Sequence, residues 1–202
     1  DLERRYALEA LSFEYRASKN GTFSRRLEAG FCRQFGVKHA IAVNSGTSAL
    51  HVAVAAGGTK QGDEVIVPPL TMASTSICAL QCGALPVFAD VDRHTFTLDP
   101  DSSSRCVTER TTAIITVALY GLAPDYDRIA GVCRSRNLLM IEDNAQCFLG
   151  KYRGRLVGIF GDFACYSFQA SKHMTCGDGG ILTTNSEERA DRARAFSTLG
   201  YS

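Results

Sequence analysis

Short runs rich in Val, Ile and Phe recur along the chain, each bounded by turn residues: HAIAVN (39–44), DEVIVPP (63–69), LPVFADV (85–91), TAIITVAL (112–119), LLMIEDN (138–144), DFACYSF (162–168) and GGILTTN (179–185). Apolar runs of this length predict strands. Between most of them lie longer stretches with apolar residues three and four apart, TSALHVAVAAGG, TMASTSICALQCG and PDYDRIAGVCRSRN, which predict helices. Strands alternating with helices imply a mostly parallel seven-stranded α/β sheet covered on both faces. The first 35 residues read as a helical segment in two pieces, broken at SKNGT, with Ser24 as cap of the second. SEERADRARAFSTLG reads as a closing helix, acidic at its start and basic later.

Composition adds limits. Hydrophobic residues at 45% and charged residues at 21% predict an ordinary packed core. A net charge of +1 gives no electrostatic case for nucleic acid or an anionic membrane. No apolar run approaches the roughly 20 residues of a membrane span, and DLERRYALEA has no signal-peptide core, so the expectation is a soluble, cytoplasmic protein. The eight cysteines include no C-x-x-C pair, which removes the usual zinc and redox spacings and leaves them as reduced, mostly core residues.

In open α/β sheets ligands collect at the carboxyl ends of the strands. Those ends carry Asn44 to Ser48, Pro68 to Met72, Tyr120 and Gly121, Asp143 to Gln146, and Ser167 to Lys172. Gly46, Thr47 and Ser48 open a helix directly after a strand, where free N–H groups favour a phosphate, or where a Ser or Thr simply caps the helix. Asp143 closes an apolar strand and needs a cation or donors around it, or else caps the next turn. Gln146 presents an amide to the same site or to solvent. Ser167 offers a hydroxyl to a ligand or to its own backbone. Lys172, in SFQASKHMTCGDGG, is a reactive amine if an electrophile meets it and a surface charge otherwise. One ligand uses a phosphate cradle, a carboxylate, a hydroxyl and an amine together, and that ligand is pyridoxal phosphate.

From about GTFSRRLE onward, the segments NSGTSAL, GDEVIVPPLT, GALPVFADVD, LYG, IEDNAQ, GDFACYSF and SKHMTCGDGG occur in the order found in the DegT/DnrJ/EryC1/StrS sugar aminotransferase family. The chain resembles that family's large domain, a branch of the aspartate aminotransferase fold (fold type I). The resemblance implies that residues 36–202 form the cofactor-binding domain, following the helical segment 1–35. It implies that Lys172 links to the cofactor aldehyde and shuttles protons, and that Asp143 pairs with the ring nitrogen. Gln146 would lie beside the ring, while Gly46, Thr47, Ser48 and Ser167 would hold the phosphate. Met72 would pack on the ring where the family commonly has an aromatic residue, and Ala118 stands where many members have His.

The activity so implied is transfer of an amino group from glutamate or glutamine to a nucleotide-activated keto-deoxysugar, by a homodimer. An aminocyclitol aminotransferase would use the same cofactor residues. The family's sugar dehydratases replace the lysine with His, whereas here His173 is only its neighbour. The family's C-terminal small domain lies beyond Ser202, so the resemblance reads the chain as truncated and expects little turnover from this stretch alone. A non-catalytic cofactor-binding module is the reading from outside the enzyme class.

Overall fold

The computed structural model describes residues 1–13, 21–198 and 200. Seven strands form the main sheet: β1 (His39–Val43), β2 (Glu64–Val67), β3 (Leu85–Phe88), β4 (Thr111–Val117), β5 (Leu139–Asp143), β8 (Phe163–Ser167) and β9 (Gly180–Thr184). Two further strands, β6 (Lys151–Tyr152) and β7 (Arg155–Leu156), make a separate small hairpin. Strand order in the sheet is β1-β9-β8-β5-β4-β2-β3. All neighbours are parallel except the two pairs that β9 makes, with β1 and with β8. The sheet is thus mostly parallel, as the alternating pattern predicts.

Side chains on successive residues of the central strands enter opposite cores, which is why these strands are mostly apolar without alternation. Val65, Ala113, Ile115, Ile141, Cys165 and Leu182 pack on one face, while Ile66, Ile114 and Met140 pack on the other. The first face is covered by α3 (Gly46–Ala56), α4 (Ser74–Gln81) and α7 (Glu187–Ser197). The second carries α6 (Tyr126–Arg136), against which α5 (Pro100–Cys106) packs. It also carries α2 (Thr22–Phe35), whose Phe31 and Phe35 stack and meet Tyr166 from β8. Helix α1 (Leu2–Phe13) precedes α2.

Local chemistry sets the helix ends. Asp125 caps α6 by accepting from Arg128 N at 3.2 Å, and Asn137 closes it in the left-handed conformation. Ser186 caps α7 by accepting from Arg189 N at 3.3 Å. Ser24 does not cap α2. The helix starts at Thr22 after Gly21, with no side-chain cap, so Ser24 falls inside its first turn. The break placed at SKNGT lies largely outside the described residues. Helix α5 has no apolar period to announce it; its signal is Asp99 as cap, accepting from Asp101 N at 3.0 Å, with Pro100 in the first position.

Candidate active site

The carboxyl ends of β1, β2, β4, β5 and β8 lie along one edge of the sheet, and the reversed strand β9 begins at that same edge. Gly180 pairs with both Val43 and Ser167, so it sits between the ends of β1 and β8. A Cβ at Gly180 would overlap the Ser45 carbonyl. A Cβ at Gly46 would stand 2.8 Å from Ser167 Cβ. These two glycines let the N-terminus of α3 press directly against the end of β8.

That junction forms one wall of a cavity of about 410 Å³. Its lining includes Gly46, Thr47, Met72, Asp143, Gln146, Ser167 and Lys172, which brings seven of the eight sequence-predicted residues together. Ser48 stands apart. Its amide donates to Ser45 Oγ at 3.1 Å and its hydroxyl to Asn44 Oδ1 at 2.6 Å. The cap is Ser45, three residues earlier, and Ala49 N is bonded to Ser45 O at 3.0 Å. Among the described residues, the amides of Gly46 and Thr47 are left without a protein partner. Two unpaired N–H groups at the positive end of an eleven-residue helix, beside the hydroxyls of Thr47 and Ser167, suit a phosphate.

Asp143 lies deeper, with only 4% of its surface exposed. Its Oδ1 accepts from Ala145 N at 3.1 Å and its Oδ2 from Thr75 Oγ1 at 2.9 Å. Burial pushes the carboxyl above the ordinary range, opposed by those two donors and by the charge of Lys172. Behind it, burial holds the thiols of Cys78 and Cys165 neutral, so neither is a nucleophile. The next residue back, Glu142, faces the other side of the sheet and accepts from the amides of Gly158, Phe160 and Gly161 at 2.6–2.7 Å. It pins the loop that leads into β8.

Lys172 is half-buried at the end of a tight turn, its amide donating to Gln169 O at 2.9 Å. Gln169 Oε1 accepts from both Ser171 N (2.8 Å) and Ser171 Oγ (2.6 Å), which fixes the turn. Gln146, a lining residue of the cavity, accepts at Oε1 from Tyr120 N at 2.9 Å, and its amide N–H₂ has no protein partner among the described residues. Tyr120 itself holds a left-handed backbone (φ 50°, ψ 31°) and is 88% exposed at the rim. Met72 is also a rim residue, 62% exposed.

The strand-end reading does not reach Thr75 or Gly180, because neither ends a parallel strand, and it spans Ser45 within Asn44 to Ser48 without singling it out as the cap. The signals were present in part: a Ser one position before the helix start, and a glycine pair opening the last strand.

The cradle gives a direct test. Gly46→Ala must move α3 away from Ser167, so phosphate-dependent affinity for pyridoxal phosphate should fall by about tenfold or more. Gly131, inside α6, has open space around it. Gly131→Ala should leave affinity unchanged and stabilise the fold by about 1 kcal/mol. Cofactor titration and thermal melts on the two variants check the contrast; equal affinities would remove the cradle.

The DegT/DnrJ/EryC1/StrS aminotransferase family model matches residues 3–202. The chain is 45% identical to GDP-perosamine synthase from Caulobacter vibrioides, over 98% of this chain and 53% of that protein. It therefore spans about half the length of that curated relative. Among solved structures, an aminotransferase from Psychrobacter cryohalolentis superposes with a TM-score of 0.92 at 36% identity, covering 97% of this chain and 50% of that one. NtdA from Bacillus subtilis, solved with bound cofactor PMP, superposes with a TM-score of 0.86 at 30% identity, covering 98% of this chain and 45% of that one.

Proposed function

The chain belongs to the DegT/DnrJ/EryC1/StrS aminotransferase family, and from that premise we propose that it forms the cofactor-binding part of a pyridoxal-phosphate aminotransferase acting on a nucleotide-activated keto-deoxysugar. The observation that carries the reading is the strand-end cavity, where Lys172 and the buried Asp143 share one space with the open N-terminus of α3. Similarity to a GDP-perosamine synthase favours a sugar nucleotide over an aminocyclitol.

Each residue has a role set by its surroundings. The amides of Gly46 and Thr47, with the hydroxyls of Thr47 and Ser167, hold the phosphate. Asp143, dry and fixed by two donors, would accept a hydrogen bond from the protonated ring nitrogen and hold it charged. Gln146 donates its amide beside the ring. When bound, the cofactor supplies a covalent link to Lys172 and an electron sink for a carbanion. Lys172 Nζ, once freed from that link, would carry the proton from the amino-bearing carbon of the donor to the cofactor carbon, and run the same transfer in reverse with the sugar. The net reaction moves one amino group from glutamate or glutamine to the sugar ketone and leaves a 2-oxo acid.

We propose that a second copy of the chain covers the rim, where Leu70, Phe96, Tyr120 and Leu122 are exposed together around a groove and Tyr120 N bonds to the cavity residue Gln146. A homodimer there would exclude water from Lys172 and Asp143. Eight unpaired cysteines fit a reducing, cytoplasmic setting, and no helix among the described residues is long and apolar enough to cross a membrane.

Incubating the cofactor-loaded protein with glutamate or glutamine, without sugar, should release the 2-oxo acid in an amount stoichiometric with cofactor. Sedimentation of the same sample should give a dimer. Bound cofactor that no amino acid converts would favour a binding module, and a monomer active at full rate would remove the rim interface.

A further inference from the structure

At the base of the cavity three oxygens stand in line. Thr71 Oγ1 and Thr75 Oγ1 are 3.0 Å apart, and Thr75 Oγ1 donates to Asp143 Oδ2 at 2.9 Å. Thr71 lines the cavity, whereas Thr75 is wholly buried. A threonine hydroxyl carries one proton and an ionised carboxylate carries none. Thr75 must therefore spend its proton on Asp143, and the proton between the two threonines must belong to Thr71. The hydrogen-bond chain runs one way, from the cavity wall to the carboxylate.

Resting on the reading of Asp143 as the partner of the ring nitrogen, we infer that Thr75 is a positioning residue that holds this carboxylate ionised and fixed toward the cavity, with Thr71 as the outer member of the chain. The surroundings make the donor necessary. Asp143 faces the neutral thiols of Cys78 from α4 and Cys165 from β8, and Lys172 is the cation that faces it. Ala145 N–H occupies Oδ1, so Thr75 is the protein donor to Oδ2 among the described residues. Loss of that donor adds to the effect of burial and drives the carboxyl toward its neutral form. A neutral acid cannot stabilise a protonated ring nitrogen. Thr71, by donating to Thr75, polarises the inner hydroxyl and strengthens its bond to Asp143.

The test is a carbon-13 NMR titration of aspartate carboxyls in the cofactor-free protein, with Asp143 assigned by the signal missing from Asp143→Asn. Thr75→Val keeps the shape and removes the hydroxyl, and it should raise the Asp143 pKa by about one to two units, the worth of a hydrogen bond to a charged group. Thr75→Ser should restore the wild-type value. Thr71→Val, on the cavity wall, should shift it in the same direction by less, and gives the reading if Thr75→Val does not fold. An Asp143 titration unmoved by either valine, or moved as far by Thr75→Ser as by Thr75→Val, overturns the inference. The titration needs no cofactor. A protein that failed to take up pyridoxal phosphate would refute the proposed function while the titration still decided the role of Thr75.

Discussion

Lys172→Ala is expected to reduce amino transfer by on the order of 10⁴-fold or more, since one substitution removes both the covalent attachment point and the proton carrier. The visible absorbance that depends on the lysine link should vanish with it. The fold should not suffer. Lys172 is half-buried on a turn held by Gln169 and Ser171 rather than by its own ammonium, so the melting transition should move by no more than a surface substitution does, about 0.5 kcal/mol in stability. Cofactor should still bind through its phosphate to the α3 cradle, more weakly and without colour. Single-turnover assays and a melt on the same preparation check both halves.

Asp143→Asn is the second large effect, and its sign differs between function and stability. A neutral amide cannot hold the ring nitrogen protonated, so turnover should fall about 10²- to 10³-fold with cofactor still loaded. In the cofactor-free protein the same change should be stabilising near neutral pH. Burial raises the Asp143 pKa in the folded state above its unfolded value of about 3.9. The stability this group contributes is full below that unfolded value and is lost as pH rises through the raised folded one. Asn does not titrate, so the variant should melt above wild type at neutral pH and the gap should close toward about pH 4. Melts across that range decide it; a variant less stable at every pH would mean that Asp143 serves only as a structural cap.

The central strands were legible because they are buried on both faces and therefore apolar without alternation, and the edge strand β3 because it is apolar although Leu85 and Phe88 are exposed. The direction of β9 was not read, yet a clue was available. Parallel neighbours need a crossover of a dozen or more residues, usually a helix. The segment between Ser167 and Gly180 contains none, as an antiparallel return allows. That reversal delivers Gly180 to the rim and makes the cradle. Helix α5 and the hairpin of β6 and β7 were missed for lack of period, the first being capped rather than amphipathic and the second having strands of two residues each.

Of the site, the strand-end rule finds the residues that end parallel strands and is blind to those that act from a helix interior. Thr75 is the clearest case, since its bond to Asp143 spans 68 positions in sequence. Ser48 shows the opposite error. Its hydroxyl type suited the cradle, but Ser45 had already claimed its amide, a distinction of geometry that composition cannot supply.

The central claim is that Lys172 is the amine that meets the cofactor aldehyde. Borohydride reduction of the loaded protein, followed by peptide mapping, tests it most directly. The account predicts a stable pyridoxyl label on the peptide that contains Lys172, absent from Lys172→Ala; a label on Lys151, Lys60 or any other lysine would contradict it.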